Sequence, residues 1–538
     1  MNGQGVEAQF VQVGGRRIFV RHAGNGPALV LLHQSPQSSA ALLPWFERFA
    51  DRYAVFAPDT PGFGFSDPLP LAQPTIPDLA QALSDGLVAL GLGRVLIWGV
   101  HTGAVIAARL AQDYPDQVAA LVCDGLALFN ADERQPLLDG YLEPIEPHWD
   151  GTHLLWLWAR VREQTMFFPW HADSAAARIP YPPSSTDRIH ADVMDLLRAG
   201  DGYRSGYRAP LMYESGAAGA RQLTVPARLL YRETDVLRPH LARLGDLPPG
   251  VLAEAVADPE AMARCMDAFF AEHRARAADV SARTAIGAAE APTRGRIATA
   301  CGALGWHARP RRAALAELSI ADIGCPAQPP ADVESGASSW ALDWPGHGAS
   351  DAWAESDVAM PVLAQAVHEA LDALGVGALA LRASGGGCAL AAELAARLGP
   401  RCVRLTLHDP LPLDAEETTQ FLACLPSLQP QSSGAHLLEA WNWARGARLF
   451  WRWLPPDAAS AIRTAAPPPR AVHEQVVEML QAGPLHAALW RSALAVDLPA
   501  RLGELRCEVN GTAAPHAESQ RLLQRALAKR PASAPGTN

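Results

Sequence analysis

Three continuous apolar runs mark the first hundred residues, at Pro27–Leu32, Val55–Pro58 and Val95–Trp98. Runs this short that are apolar at every position, not at alternate ones, suit strands covered on both faces of a parallel sheet. Leu79–Leu92 and Val105–Leu110 carry apolar residues at helical spacing. Strand, helix and strand in that order predict right-handed βαβ crossovers and a doubly wound, mostly parallel sheet, an α/β fold.

The chain also resembles itself. Asp59-Thr60-Pro61-Gly62-Phe63-Gly64-Phe65-Ser66-Asp67 returns 284 positions later as Asp343-Trp344-Pro345-Gly346-His347-Gly348-Ala349-Ser350-Asp351. Val20–Ala23 answers to Gly305–Ala308 and the run ending in Cys123-Asp124 to the one ending in His408-Asp409, both 285 apart; Gly151–Leu155 answers to Gly434–Leu438, 283 apart. Ordered matches with so little drift predict duplication of a whole domain, insertion included. The expected organisation is a first domain over 1–280 with a helical cap at about 130–222, a polar Ala-rich linker at 281–297, a degenerate second domain over 298–527 with a cap at about 413–500, and a disordered tail over 528–538. The second half is expected to pair with the first as a dimer mate would, which predicts poor solubility for the first half alone.

Length agrees with two domains, because 538 residues exceed what one core usually organises. With 49% hydrophobic and 19% charged residues the composition is that of an ordinary globular protein. A net charge of -11 without a long Lys/Arg run gives no footprint for nucleic acid or an anionic membrane surface. The first ten residues lack signal-peptide character and no stretch is apolar enough to span a bilayer, so a cytoplasmic location is expected. The eight cysteines are far apart, without Cys-x-x-Cys pairs, and read as reduced and mostly buried. The sequence holds no metal-ligand cluster, phosphate loop or dinucleotide fingerprint, so the expected partner is a small-molecule substrate and the expected chemistry needs no cofactor.

Candidate chemistry follows the strands. His33-Gln34-Ser35-Pro36 comes after the first apolar run, Asp59-x-Pro61-Gly62-x-Gly64-x-Ser66 after the second, and Gly99-Val100-His101-Thr102-Gly103 between the third and its helix. This ordered set resembles the α/β-hydrolase superfamily over most of residues 8–275 and, more faintly, 298–525, and the resemblance implies two tandem α/β-hydrolase folds. The central residue of the family's Gly-x-Ser-x-Gly turn is a nucleophile on a strained elbow; here it is His101. Asp235 matches the family's acid after a late strand, but no histidine stands near Val256–Pro259, where the family places its base, and His273 falls too late. An imidazole on the elbow reaches farther than a serine hydroxyl. It is expected to enter the vacated space, where Asp235 orients it as a general base or nucleophile. The backbone amides of Gln34 and Thr102 match the oxyanion-hole positions. Ser35 reads either as a substrate contact or as a turn-closing residue. Of the cap aromatics Trp149, Trp156, Trp158, Phe167, Phe168 and Trp170, which are either cap core or pocket wall, Trp158 and Phe168 are taken as substrate contacts.

Comparing the two halves filters these candidates. Asp59, His22, His153 and His240 have apparent counterparts in Asp343, His307, His436 and His516, and Asp124 in Asp409, which favours structural roles; His33, Gln34, His101 and Asp235 belong to the first half alone. The second elbow, Ala383-Ser384-Gly385-Gly386-Gly387, has glycine at the nucleophile position and Ser384 one place off. Two readings of function result: an atypical hydrolase or lyase acting on a small apolar or aromatic carbonyl compound, or a noncatalytic ligand-binding or scaffold protein.

Overall fold

The three apolar runs are strands in the computed structural model, which describes residues 5–180, 182–281, 293–311, 315–330, 337–450, 460–462, 465–512 and 517–528. The chain divides into two units, the first comprising Met1–Glu146 with Trp156–Glu290 and the second Pro147–Leu155 with Ala291–Asn538.

The first unit carries β1 (Glu7–Val13), β2 (Arg16–Ala23), β3 (Asn25–Leu32), β4 (Ala54–Pro58), β5 (Val95–Val100), β6 (Val118–Asp124), β7 (Ala227–Arg232) and β8 (Val251–Val256), in the spatial order β1-β2-β4-β3-β5-β6-β7-β8. β1, β2 and β4 pair antiparallel, and every pair from β4 to β8 is parallel. Strands β4 and β6 are buried at every residue, which is why they read as continuous apolar runs. One face packs on the helices Ile76–Ala89 and Thr102–Asp113, the other on Leu43–Phe49 and Pro259–His273, so the sheet is doubly wound. Between β6 and β7 stand the helices Ala131–Tyr141, Thr152–Gln164, Thr186–Ala199, Tyr203–Leu211 and Gly216–Ala220.

A short strand, β9 (Asp279–Ser281), runs antiparallel to β3 at Asn25–Pro27. The second unit then begins with β10 (Arg294–Thr299). The expected linker is therefore strand at both ends, since Ser281 and Arg294–Ile297 are paired; a polar, Ala-rich composition does not prevent three or four residues from adding to an existing edge. Its middle, 282–292, lies outside the described residues, as do His516 and all of the expected tail beyond Ala528. The remaining strands are β11 (Gly302–Arg309), β12 (Ala316–Ile320), β13 (Ser338–Leu342), β14 (Leu379–Ser384), β15 (Cys402–His408) and β16 (Glu508–Thr512), ordered β10-β11-β13-β12-β14-β15-β16. That order repeats the connectivity of β1 to β7. Among the described residues no helix is long and apolar enough to cross a membrane.

Backbone register corrects two of the sequence matches. Asp59 N–H donates to Phe19 O (2.8 Å) and Asp343 N–H to Gly305 O (2.9 Å), which places His307 opposite Arg21, not His22. The side-chain pairing agrees with this register: Arg21 Nη1 lies 3.8 Å from Asp59 Oδ1 and His307 Nε2 lies 3.1 Å from Asp343 Oδ1. Likewise His101 N–H donates to Asp124 O (2.8 Å) and Gly385 N–H to His408 O (3.0 Å), so Asp124 corresponds to His408 and Asp409 to Gly125. Identity of letters had outweighed a one-residue shift in both cases. Asp124 thus belongs to the first unit alone.

Candidate active site

β5 ends at Val100 and a helix starts at Thr102, leaving His101 to make the turn with φ 45° and ψ −106°. A residue with a Cβ is strained there, by about 1–3 kcal/mol. The two flanking glycines are fixed by packing. A Cβ on Gly99 would lie 2.3 Å from Gly103 O, and one on Gly103 would lie 2.5 Å from Leu32 O. The turn lifts the imidazole above the C-terminal ends of the strands, where its side chain remains 26% exposed.

His101 Nε2 meets Asp235 Oδ2 at 3.0 Å. The contact depends on a residue the sequence reading did not single out: Gly125, just past β6, has φ 70°, and a Cβ on it would stand 2.6 Å from His101 Cδ2 and 3.1 Å from Asp235 Oδ2. Asp235 is fixed from the other side. Leu237 N–H donates to Oδ1 (2.8 Å) and Arg232 Nη2 to Oδ2 (3.1 Å), with the carboxylate almost wholly buried. Burial opposes the charged carboxylate, but the His101 charge and hydrogen bond, the Leu237 amide and Arg232 outweigh it and hold its pKa well below the ordinary range. For His101 burial again disfavours charge, and the Asp235 carboxylate, with help from Asp124, overcomes it and raises the imidazole pKa. Arg232 also faces Asp124 Oδ1 at 3.5 Å; burial pushes the Asp124 pKa up, against Arg232 and His101. When the ring is neutral, Asp235 holds the proton on Nε2, which leaves the lone pair on Nδ1 for a ligand.

A cavity of about 220 Å³ opens over His101. Gln34, Ser35, Thr102 and Phe168 line it. Neither the Gln34 nor the Thr102 amide donates a hydrogen bond among the described residues. Ser35 has a second duty, since Oγ donates to Gly206 O of the cap at 3.4 Å. Trp158 is placed differently from the expectation: it is 3% exposed, outside the cavity wall, and shares the inward face of its helix with Leu154, Leu157 and Val161. That i, i+3, i+4, i+7 stripe is the signature of core. Of the six cap aromatics only Phe168 lines the cavity, and Trp149 is largely exposed.

His33 is also structural although it lacks a counterpart: Thr60 N–H donates to its Nε2 at 2.9 Å, and full burial lowers its pKa. His240 accepts from Leu128 N–H (2.9 Å), and burial pushes its pKa down to about 4. The wall also contains Tyr141, Gln164 and Tyr207, none of which the sequence marked. Nor did it mark Arg232, three residues ahead of Asp235.

At the second unit's elbow, Gly385 has φ 54° and its site is closed from within. Asp322 Oδ1 accepts from Gly386 N–H (2.8 Å) and Ile323 N–H (3.0 Å). Gly386 is the counterpart of Thr102, so a carboxylate oxygen already occupies the anion-binding amide. A Cβ on Gly385 would fall 2.0 Å from that oxygen, and one on Gly386 would meet Ile323 and Trp490 at 2.7 and 2.9 Å. The bare elbow and the carboxylate beside it are thus sterically coupled. Gly385→Ala is expected to cost about 1–3 kcal/mol through its positive φ and the collision, and measurably less in an Asp322→Ala background. Urea unfolding of the two single variants and the double variant checks this; strictly additive losses would refute the coupling.

The family model for the alpha/beta hydrolase fold matches residues 27–165 and 323–429, one segment in each half. The chain has the α/β-hydrolase fold. An uncharacterized protein of Mycobacterium tuberculosis is 35% identical over 114 residues, which are 21% of this chain and 33% of that one. The chain thus spans about a third of the length of the first curated relatives it matches. The 2-(acetamidomethylene)succinate hydrolase of Mesorhizobium japonicum is 28% identical over 253 residues, covering 46% of this chain and 80% of that one. The crystal structure of E-2-(acetamidomethylene)succinate hydrolase aligns at a TM-score of 0.39 and 20% identity, over 49% of this chain and 99% of the other.

Proposed function

We propose that the first unit is an enzyme in which His101, oriented by Asp235, serves as general base or nucleophile toward a small, largely apolar carbonyl compound, without a cofactor. The observation that carries this reading is the 3.0 Å His101–Asp235 contact at the floor of a cavity whose wall includes two unpartnered amides. A base, a carboxylate to orient it and two unpartnered amides to serve as an oxyanion site are what carbonyl addition or proton abstraction beside a carbonyl requires. Nδ1 is the nitrogen presented to the substrate. The hydrolase name of the Mesorhizobium relative favours water addition over elimination. The second unit is read as a duplicated partner without chemistry, its Gly385 elbow closed by Asp322.

The test is turnover of short-chain aryl esters, thioesters and activated ketones by the full chain and by His101→Ala. The expected result is turnover in the wild type that falls about 10²–10⁴-fold in the variant. Equal rates in both, or none in either, would transfer the assignment to a noncatalytic ligand-binding protein.

A further inference from the structure

Against the ring of Tyr141, which lines the same cavity, stands a cation with no ion-pair partner among the described residues. Arg160, on the helix Thr152–Gln164, is 1% exposed, and among the described residues it has no carboxylate partner. Its Nη2 donates to Tyr141 O at 3.4 Å, while Nε and Nη1 are buried without a hydrogen-bond partner. Three rings surround the guanidinium, with centroids 5.8 Å away for Tyr141, 5.8 Å for Trp170 and 5.2 Å for Tyr203. Such stacking offsets part of the cost of burying a cation, but an arginine held this deep ordinarily has an anion beside it.

The neighbouring hydroxyls show where that anion belongs. Tyr203 donates to Glu143 O, and Tyr141 accepts from Trp170 N–H at 3.3 Å, so both serve the cap. Tyr207 is different. Its oxygen accepts from Gln164 Nε2 at 3.3 Å, its ring centroid stands 5.6 Å from that of Tyr141 and 6.1 Å from that of Tyr203, two of the rings that hold Arg160, and its own O–H has no acceptor among the described residues. Tyr141, Gln164 and Tyr207 all line the cavity over His101. At the elbow end, by contrast, His101 and Arg232 are matched against Asp235 and Asp124.

We propose that the cavity binds a small carboxylate with an apolar or aromatic body, whose carboxylate accepts from Tyr207 O–H in the field of Arg160 while its other end lies at His101. Arg160 is a positioning residue, acting through Tyr207. The proposal rests on the cavity over His101 being the substrate site, and it adds the substrate's charge and orientation. Neutral esters are then expected to be turned over, but more slowly than acid-bearing ones.

Binding, not turnover, tests it. Phenylacetate and 3-phenylpropionate are titrated calorimetrically into the full chain beside their uncharged amides. The acids are expected to bind at least about tenfold tighter, with the preference lost in Tyr207→Phe and Arg160→Met and retained in His101→Ala. Because Arg160→Met risks unfolding the cap, Tyr207→Phe, which keeps the ring, decides the matter. Equal affinity for acid and amide, no binding of either at millimolar concentration, a preference that survives Tyr207→Phe, or one that disappears only in His101→Ala would each overturn the proposal. Acid preference retained in His101→Ala supports this subsite whatever His101 does in turnover, so failure of the catalytic reading is told apart from failure of this one.

Discussion

Asp235→Asn is expected to lower turnover about 10²–10⁴-fold and to move its pH dependence to more acid values. The rate follows the neutral form of His101, whose pKa is raised because the Asp235 carboxylate overcomes the effect of burial. In the wild type the rate should therefore rise with pH through a value above the ordinary 6.5 of histidine. Asparagine removes the largest of the raising influences and leaves burial in command, so the rising limb shifts downward even as the plateau falls. The same pair sets a window of stability. Asp235, with a depressed pKa in the fold, contributes stability that is present above its unfolded value of about 3.9 and is lost as pH falls through the folded one. His101, with a raised pKa, contributes stability that is complete below about 6.5 and is lost as pH rises through the folded value. The deficit of Asp235→Asn in urea midpoint should be greatest between about pH 4 and 6.5 and shrink on both sides. A deficit flat in pH would refute the electrostatic account.

Gly125→Ala is expected to do comparable damage to turnover without touching a titratable group. The added methyl would stand 2.6 Å from His101 Cδ2 and 2.9 Å from Nε2, in a turn with φ 70°, so the ring has to leave Asp235. A loss of about 1–3 kcal/mol in stability should accompany it. Gly250→Ala is the control, because Gly250 has a similar φ of 86° and open space where the Cβ would go. It should show the backbone cost alone, with turnover intact. Equal turnover in both variants would mean that the imidazole does not need its place against Asp235.

The fold was legible because its central strands are covered on both faces, and such strands write themselves as unbroken apolar runs: β3, β4 and β5 coincide with the three runs. The elbow was legible because Gly99 and Gly103 are demanded by backbone packing, whatever residue lies between them. How His101 meets Asp235 was visible only as two strand ends on one side of a parallel sheet. Gly125 and Arg232, which shape that meeting, carry no pattern by themselves. Comparison of the halves by identity failed where register mattered, since Asp124 and Asp409 are aligned letters at different places. His33, likewise found in the first half alone, accepts a hydrogen bond from Thr60 N–H. The cap was least legible. An amphipathic helix shows which residues are buried but not what they are buried against, so Trp158 looked like Phe168, and Arg160 carried no mark.

Asp322 has a bearing on how any ligand titration of this chain is counted. Two α/β-hydrolase folds on one polypeptide invite the assumption of two equivalents, yet the amide of Gly386 is already committed to an internal carboxylate. Saturation should come at one equivalent per chain, with no second phase at higher concentration. A kinetic plot that bends away from a single hyperbola would then report something other than two active centres acting in parallel.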